Sequence, residues 1–196
     1  MTTPYTVRHG TDNQRQAVAA CLAGLDLVSP AVAENIVTAW VSAWSSSPYA
    51  ALEDMPYSTL APKFALMTHV NEVTRTGVTL ARRAIEEWQD PIDWDEMVSI
   101  LTLHDIDKPL LFLRENGEVK HSALYKELPH GVTGAMLLKD LGFPHKVVST
   151  VATHASNAPF HGHTIEAYIL HYADFFATDR ACLREGSTPF YQRHWR

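Results

Sequence analysis

Five stretches of this chain place histidine or aspartate where a metal ion could be held: His69, His104-Asp105, His130, His154 and Asp174. Imidazole nitrogen mixed with carboxylate oxygen suits a dication such as Fe, Mn, Co, Ni or Zn, whereas Mg or Ca prefers an all-oxygen set. The chain carries 11 histidines in 196 residues, an excess that these positions explain in part. The doublet His104-Asp105 is the most informative. Neighbours on a helix diverge by about 100° and converge only where the helix ends. Asp107 and Pro109 mark such an end, and the apolar run Ile100 to Leu103 delivers the doublet from a core where its polar groups need partners.

The elements that must position these residues read as helices, and the fold class expected is all-α. Ser29-Pro30 supplies a cap and a first-turn proline for a helix carrying Ile36, Val37, Trp40, Val41 and Trp44 at helical spacing. Trp40 and Trp44 are read as core packing rather than a ligand platform. A helix from about Gln14 to Leu25 precedes it, and a loop from Pro48 to Pro62 follows. An apolar line through Val70, Val73, Ala81 and Ala84 gives a helix over Phe64 to Trp88 that presents His69. Asp93 with Glu96 resembles a capping box for a helix to about His104, which Pro109 stops. Beyond a polar loop from Arg114 to Leu128, helices are expected over about Gly131 to Leu141, Pro144 to His154 and Thr164 to Arg184, with Gly142 between the first two. Asn116-Gly117 could turn a small hairpin, although its flanks are short.

Composition bounds the rest. With 16 Lys+Arg against 22 Asp+Glu the formal charge is -6, which makes a general nucleic-acid surface improbable, so any anion must be met by a few focused cations. No uninterrupted apolar run of about 18 residues exists to span a membrane. The stretch Ala17 to Val28 is interrupted by Asp26, and Val18-Ala19-Ala20-Cys21 lacks the apolar run a lipoprotein box needs; neither reads as an export signal. Cys21 and Cys182 lack metal spacing and read as free thiols, so a cytoplasmic location is expected. The chain is expected to be one domain, with an N-terminal helical extension over 1–62, a metal-binding core over 63–184 and a tail over 185–196. A homo-oligomer stays open.

Leu103-His104-Asp105-Ile106-Asp107-Lys108 resembles the signature doublet of the HD-domain metal-dependent phosphohydrolase superfamily. The order matches too: an earlier helix with a His (Met67-Thr68-His69-Val70), then the doublet, then His130 and His154 like the pair of two-metal members, then Ala173-Asp174 in a late helix. The resemblance covers about Phe64 to Arg180. It implies that His69, His104, Asp105 and Asp174 hold one metal and that Asp105, His130 and His154 hold a second. It also implies that Lys108 faces the substrate as a compact point charge, with Asp105 and Lys108 as the catalytic pair. Arg180 resembles the arginine of the late Ala-Asp segment in members that cleave symmetrical dinucleoside tetraphosphates; a salt bridge with Asp179 or Glu185 is its alternative. His9 and His194 fall in tails, His145 stands beside a helix start and His171 a turn before Asp174, whereas His121, His161 and His163 lie in loops near the expected mouth of the site.

The activity this implies is hydrolysis of a phosphate ester or anhydride, in a nucleotide or another small phosphorylated metabolite, by a metal-bound hydroxide. One or two divalent transition metals and a small anionic substrate are the cofactor and partner expected. Two alternatives stand beside it: an HD-type diiron oxygenase acting on a small anionic substrate such as a phosphonate, and a metal-binding regulatory module. No Gly-Tyr-Pro element follows the doublet and Ala155 rather than a second His follows His154, departures that lower the cyclic-dinucleotide reading. Fold membership leaves the substrate undecided, because function belongs to the pocket.

Overall fold

In a computed structural model, which describes residues 3–193, the chain is all-α apart from one small hairpin. Helix α1 (Asp12–Cys21) opens with a full capping box between Thr11 and Gln14. It stops short of the expected Leu25 because Gly24 adopts a left-handed conformation (φ 87°) and leads into a short 3-10 turn over Leu25–Leu27. Helix α2 (Pro30–Ser46) carries Pro30 in its first turn, as expected. Its Trp40 is fully buried and donates its indole N–H to the Thr102 carbonyl at 3.1 Å, so this tryptophan is core with its one polar atom satisfied.

Helix α3 (Leu66–Trp88) is the long spine. It packs against α4 (Trp94–Leu103) and along α9 (Ile165–Arg184). Gly77 permits the close approach to α4, since a Cβ there would lie 2.3 Å from Leu101 Cδ2. Only half of the expected capping box at α4 forms. Asp93 accepts from the Glu96 backbone N–H at 3.1 Å, but the Glu96 side chain turns away to pair with Lys146 at 2.5 Å. Helix α4 ends at Leu103, and Pro109 does not simply halt the chain: it sits in the first turn of the one-turn helix α5 (Lys108–Leu111).

The hairpin that short flanks left open does form. Strand β1 (Phe112–Glu115) pairs antiparallel with β2 (Glu118–His121), and both turn residues have positive φ, Asn116 at 53° and Gly117 at 83°, the geometry that favours Asn-Gly. A one-turn helix α6 (Leu124–Glu127) then breaks what was expected to be loop. Helices α7 (Val132–Asp140) and α8 (His145–Thr153) pack on each other, joined through Gly142 as expected. Thr164 caps α9 by accepting from the Ala167 N–H at 3.2 Å. The segment after α9 is more than a tail: it folds into α10 (Phe190–Arg193), with the Phe190 N–H donating to Asp179. His194 lies outside the described residues.

One continuous hydrophobic cluster runs from Tyr5 to Ala181 and includes residues of α1, α2, α3, α4, α7, α8 and α9. None of the described helices is long and apolar enough to cross a membrane. Cys21 and Cys182 are both free thiols.

Candidate metal centre

The turn after α4 brings Asp105 to the middle of four histidines. Its Oδ2 lies 3.2 Å from His69 Nε2 and 3.3 Å from His104 Nε2, while its Oδ1 lies 3.0 Å from His130 Nε2 and 3.6 Å from His154 Nε2. The two oxygens of one carboxylate therefore face two separate histidine pairs. On the Oδ2 side, Asp174 Oδ1 from α9 completes the group, 3.1 Å from His69 Nε2 and 4.0 Å from His104 Nε2. His69 and His104 face each other with their Nε2 atoms 3.3 Å apart.

The separations of 3.0–3.3 Å fit a bound dication, while those of His154 from Asp105 (3.6 Å) and His104 from Asp174 (4.0 Å) are longer. Donors held at about 2.1 Å from one metal stand about 3.0–3.4 Å from their neighbours in octahedral or tetrahedral arrangements. Two sets of donor atoms each lie within 4.8 Å of one another: His69, His104 and Asp105, and Asp105, His130 and His154. Three of the four histidine tautomers agree, while His69 Nδ1 is buried without a hydrogen-bond partner. His104 Nδ1 and His154 Nδ1 donate to the carbonyls of Leu101 (2.9 Å) and Val151 (2.8 Å), and His130 Nδ1 donates to Asp107 Oδ1 (2.9 Å). A neutral imidazole that donates through Nδ1 carries its lone pair on Nε2, the atom that faces Asp105, and such outer partners are how ligating histidines are held. Asp105 Oδ2 is buried with no partner in hydrogen-bonding geometry, although the Lys108 ammonium is 2.8 Å away. A buried carboxylate oxygen left in that condition is what a cation would satisfy.

The electrostatics follow from burial and these neighbours. Burial works against the charge on Asp105, but His104 and Lys108 outweigh it and hold the carboxyl well below the usual carboxylate range. Asp174 is likewise held low against burial, chiefly by its hydrogen bond to His69 and the charge of His104. Burial also opposes the charged form of His130, yet Asp107 and Asp105 together push its pKa up to about 9. His154 moves the other way, lowered mainly by burial and by the neighbouring His130 and His104.

The six residues expected as ligands thus converge, and Lys108 joins them. Its side chain is 9% exposed, with Nζ beside Asp105 and 3.8 Å over the centre of the Tyr57 ring. Both Lys108 and Asp105 line a cavity of about 300 Å³. Arg180 does not. Its guanidinium lies 3.7 Å from Glu72 Oε1 on α3, and it is absent from the cavity wall. The expected grip on substrate is corrected by helical geometry: six residues beyond Asp174 is about 120° around α9 from the ligand face. Among the described residues neither Asp179 nor Glu185 pairs with Arg180, and Asp179 accepts from the Phe190 backbone instead.

Asp107, Tyr57 and Thr178 join the site beside the expected residues. Asp107, taken as a helix-end marker, is fully buried and accepts from His130 Nδ1 and from the Gly131 N–H at 2.7 Å. Its signal was present as the second aspartate of His-Asp-Ile-Asp. Tyr57 comes from the segment before α3, pinned there by a hydrogen bond from its own N–H to the Phe64 carbonyl at 2.9 Å. Its ring stacks on His69 at 3.9 Å, and its hydroxyl meets Thr178 Oγ1 at 2.5 Å, which in turn donates to Asp174 Oδ1 at 3.1 Å. Tyr57 so touches Lys108 and one histidine directly and reaches Asp174 through Thr178. No local pattern announces such a residue. His121 lines this cavity, as its expected place near the mouth suggested, whereas His161, His163 and His171 line a separate one on the far side of His154.

No family model matches the chain, and no solved structure matches it. It is similar to a curated protein of Methanocaldococcus jannaschii named dihydroneopterin 2',3'-cyclic phosphate phosphodiesterase, 32% identical over 111 residues. The match takes in 56% of this chain and 44% of the relative, so the chain spans less than half of that protein's length.

Proposed function

We infer that the chain is a metal-dependent phosphohydrolase of the HD type, acting on a phosphate ester of a small molecule, with a cyclic phosphodiester as the first candidate. The observation that carries this reading is the single carboxylate of Asp105 set between two histidine pairs beside the Lys108 ammonium, all at one cavity. His69, His104, Asp105 and Asp174 would hold one dication of the Fe, Mn, Co, Ni or Zn group, and Asp105, His130 and His154 a second. Such a cation supplies Lewis acidity toward a phosphoryl oxygen and toward water.

The protein's own groups do the remaining work. Lys108 offers a compact positive charge to a phosphoryl oxygen, and its burial strengthens that attraction relative to one in water. The Tyr57 ring beneath it fixes where the ammonium points. Asp107 fixes the tautomer of His130, and Thr178 fixes the carboxylate of Asp174. The similarity to a phosphodiesterase supports hydrolysis over the oxygenase alternative.

A panel of nucleoside 2',3'-cyclic phosphates, sugar phosphates and phosphonates, assayed with Mn anaerobically and with Fe aerobically, tests the reading. Ester hydrolysis in the anaerobic Mn arm is the expected result. Substrate loss with O₂ consumption, confined to the aerobic Fe arm, would overturn it in favour of the oxygenase.

A further inference from the structure

Above the ionic floor of the cavity two stretches of the wall are aromatic and come from distant parts of the chain, with residues 58–60 and 155–157 supplying much of the non-aromatic remainder. On one side His121, the last residue of β2, stacks on Tyr125 of α6 with ring centres 3.7 Å apart and an interplanar angle of 1°. Phe112 stands behind them, 5.5 Å from His121 and 6.0 Å from Tyr125. On the other side Phe175 of α9 meets Phe190 of α10 edge to face at 5.6 Å. All five line the cavity that holds Asp105 and Lys108.

The hairpin side is built for contact rather than for core. His121 is exposed and Tyr125 half-buried, and neither lies in the continuous hydrophobic cluster. Among the described residues, neither the His121 ring nitrogens nor the Tyr125 hydroxyl has a hydrogen-bond partner within the protein, although the two rings are held parallel. Ordering two side chains in this way costs conformational entropy. A ligand that stacks on the flat surface offsets that cost. The volume, about 300 Å³, sits at the lower end of the range of small-molecule sites.

We propose that the substrate carries a planar heteroaromatic ring, which lies against the stacked His121–Tyr125 pair while its phosphoryl end reaches Lys108 and Asp105. This deepens the phosphohydrolase reading and rests on it. A flat heterocycle stacks on an aromatic face and presents hydrogen-bonding edges, whereas a bare sugar phosphate has no surface that fits such a wall. His121 and Tyr125 are then specificity-determining residues, discriminating among phosphate esters through what the phosphate is attached to.

The test compares two probes, guanosine 2',3'-cyclic phosphate and the ring-less glycerol 1,2-cyclic phosphate, on the metal-loaded full chain. The wild type is set against Tyr125→Leu, Tyr125→Phe and a His121→Ala/Tyr125→Leu double variant. The expected result is that the ratio of kcat/KM for the guanosine probe over the glycerol probe falls about tenfold or more in the double variant, mostly through KM, and that Tyr125→Phe keeps the wild-type ratio. Equal losses on both probes, or a ratio that does not move, would overturn the proposal. Should neither probe be hydrolysed, the phosphohydrolase reading fails, and calorimetric binding of the guanosine probe decides the ring site alone. A weaker Kd in the double variant, with Tyr125→Phe like wild type, then supports it. No binding to the wild type, or equal binding to all variants, refutes it.

Discussion

Asp107→Asn isolates one device of the site, because asparagine keeps the shape of aspartate and changes only what its oxygens can accept. Asp107 is fully buried and receives two donors, His130 Nδ1 at 2.9 Å and the Gly131 N–H at 2.7 Å. Asparagine offers one carbonyl oxygen and one NH₂ group. The backbone N–H cannot change into an acceptor, so the carbonyl must stay with Gly131 and the NH₂ must face His130. His130 then accepts through Nδ1 and carries its proton on Nε2, the atom 3.0 Å from Asp105 Oδ1. Two charge-assisted hydrogen bonds become neutral ones, a loss of about 2–3 kcal/mol of stability at neutral pH. The larger effect falls on metal binding: the lone pair needed on the Asp105–His130–His154 side is gone, which costs about 10–100-fold in affinity there. Competitive zinc titration against a chromophoric chelator should show one tight equivalent unchanged and a second weakened, with urea denaturation giving the stability term. Two sites of wild-type affinity would refute the assignment of Asp107 as the residue that sets the His130 tautomer, and equal weakening of both sites would show a general disturbance instead.

Asp105→Ala should be the most damaging single substitution, because both groups of donors share this carboxylate; elemental analysis should find the metal content largely lost, and an unchanged load would contradict the centre. In the metal-free protein, stability should fall as pH rises from about 6.5 to 9. The pKa of His130 is raised to about 9 against about 6.5 unfolded, so its contribution is fully present below 6.5 and lost as pH climbs through 9. Thermal melts across that window should show the decline, and His130→Gln should flatten it. Gly131→Ala should destabilise by about 2–4 kcal/mol, since its φ is +91° and a Cβ would stand 2.5 Å from the Val151 carbonyl oxygen; a melting temperature within a degree of wild type would show that the loop yields freely.

What could be read from the chain beforehand divides along the range of the interactions involved. Helix ends were readable because their signals are local: Pro30 in the first turn of α2, Gly142 with Pro144, and Thr164 each act within a few residues of themselves, although the Ser29 hydroxyl expected to cap α2 donates to Asp95 instead. The candidate ligands stood out because a metal site restricts residue type severely and the doublet stands at a helix end. The hairpin was underrated because strands of four residues leave no alternation to count, although Asn116-Gly117 carried the turn. Tyr57 was invisible, since its partners lie in α3, α5 and α9 and nothing near residue 57 in the chain points to them. Arg180 misled for a related reason: a matching offset along the chain says nothing of which side of the helix it reaches.

His69 on α3 and Asp174 on α9 meet at 3.1 Å with over half of the chain between them. The centre is therefore a long-range closure, and its atoms cannot come together until the segment in between has folded back on itself. Closing so large a loop costs entropy that local contacts do not repay. An ion captured there would act as a reversible cross-link between the two longest helices, slowing the step that parts them. Occupancy and kinetic persistence would then be one quantity, and a chelator would shorten the lifetime of the native state even where it left its secondary structure unchanged.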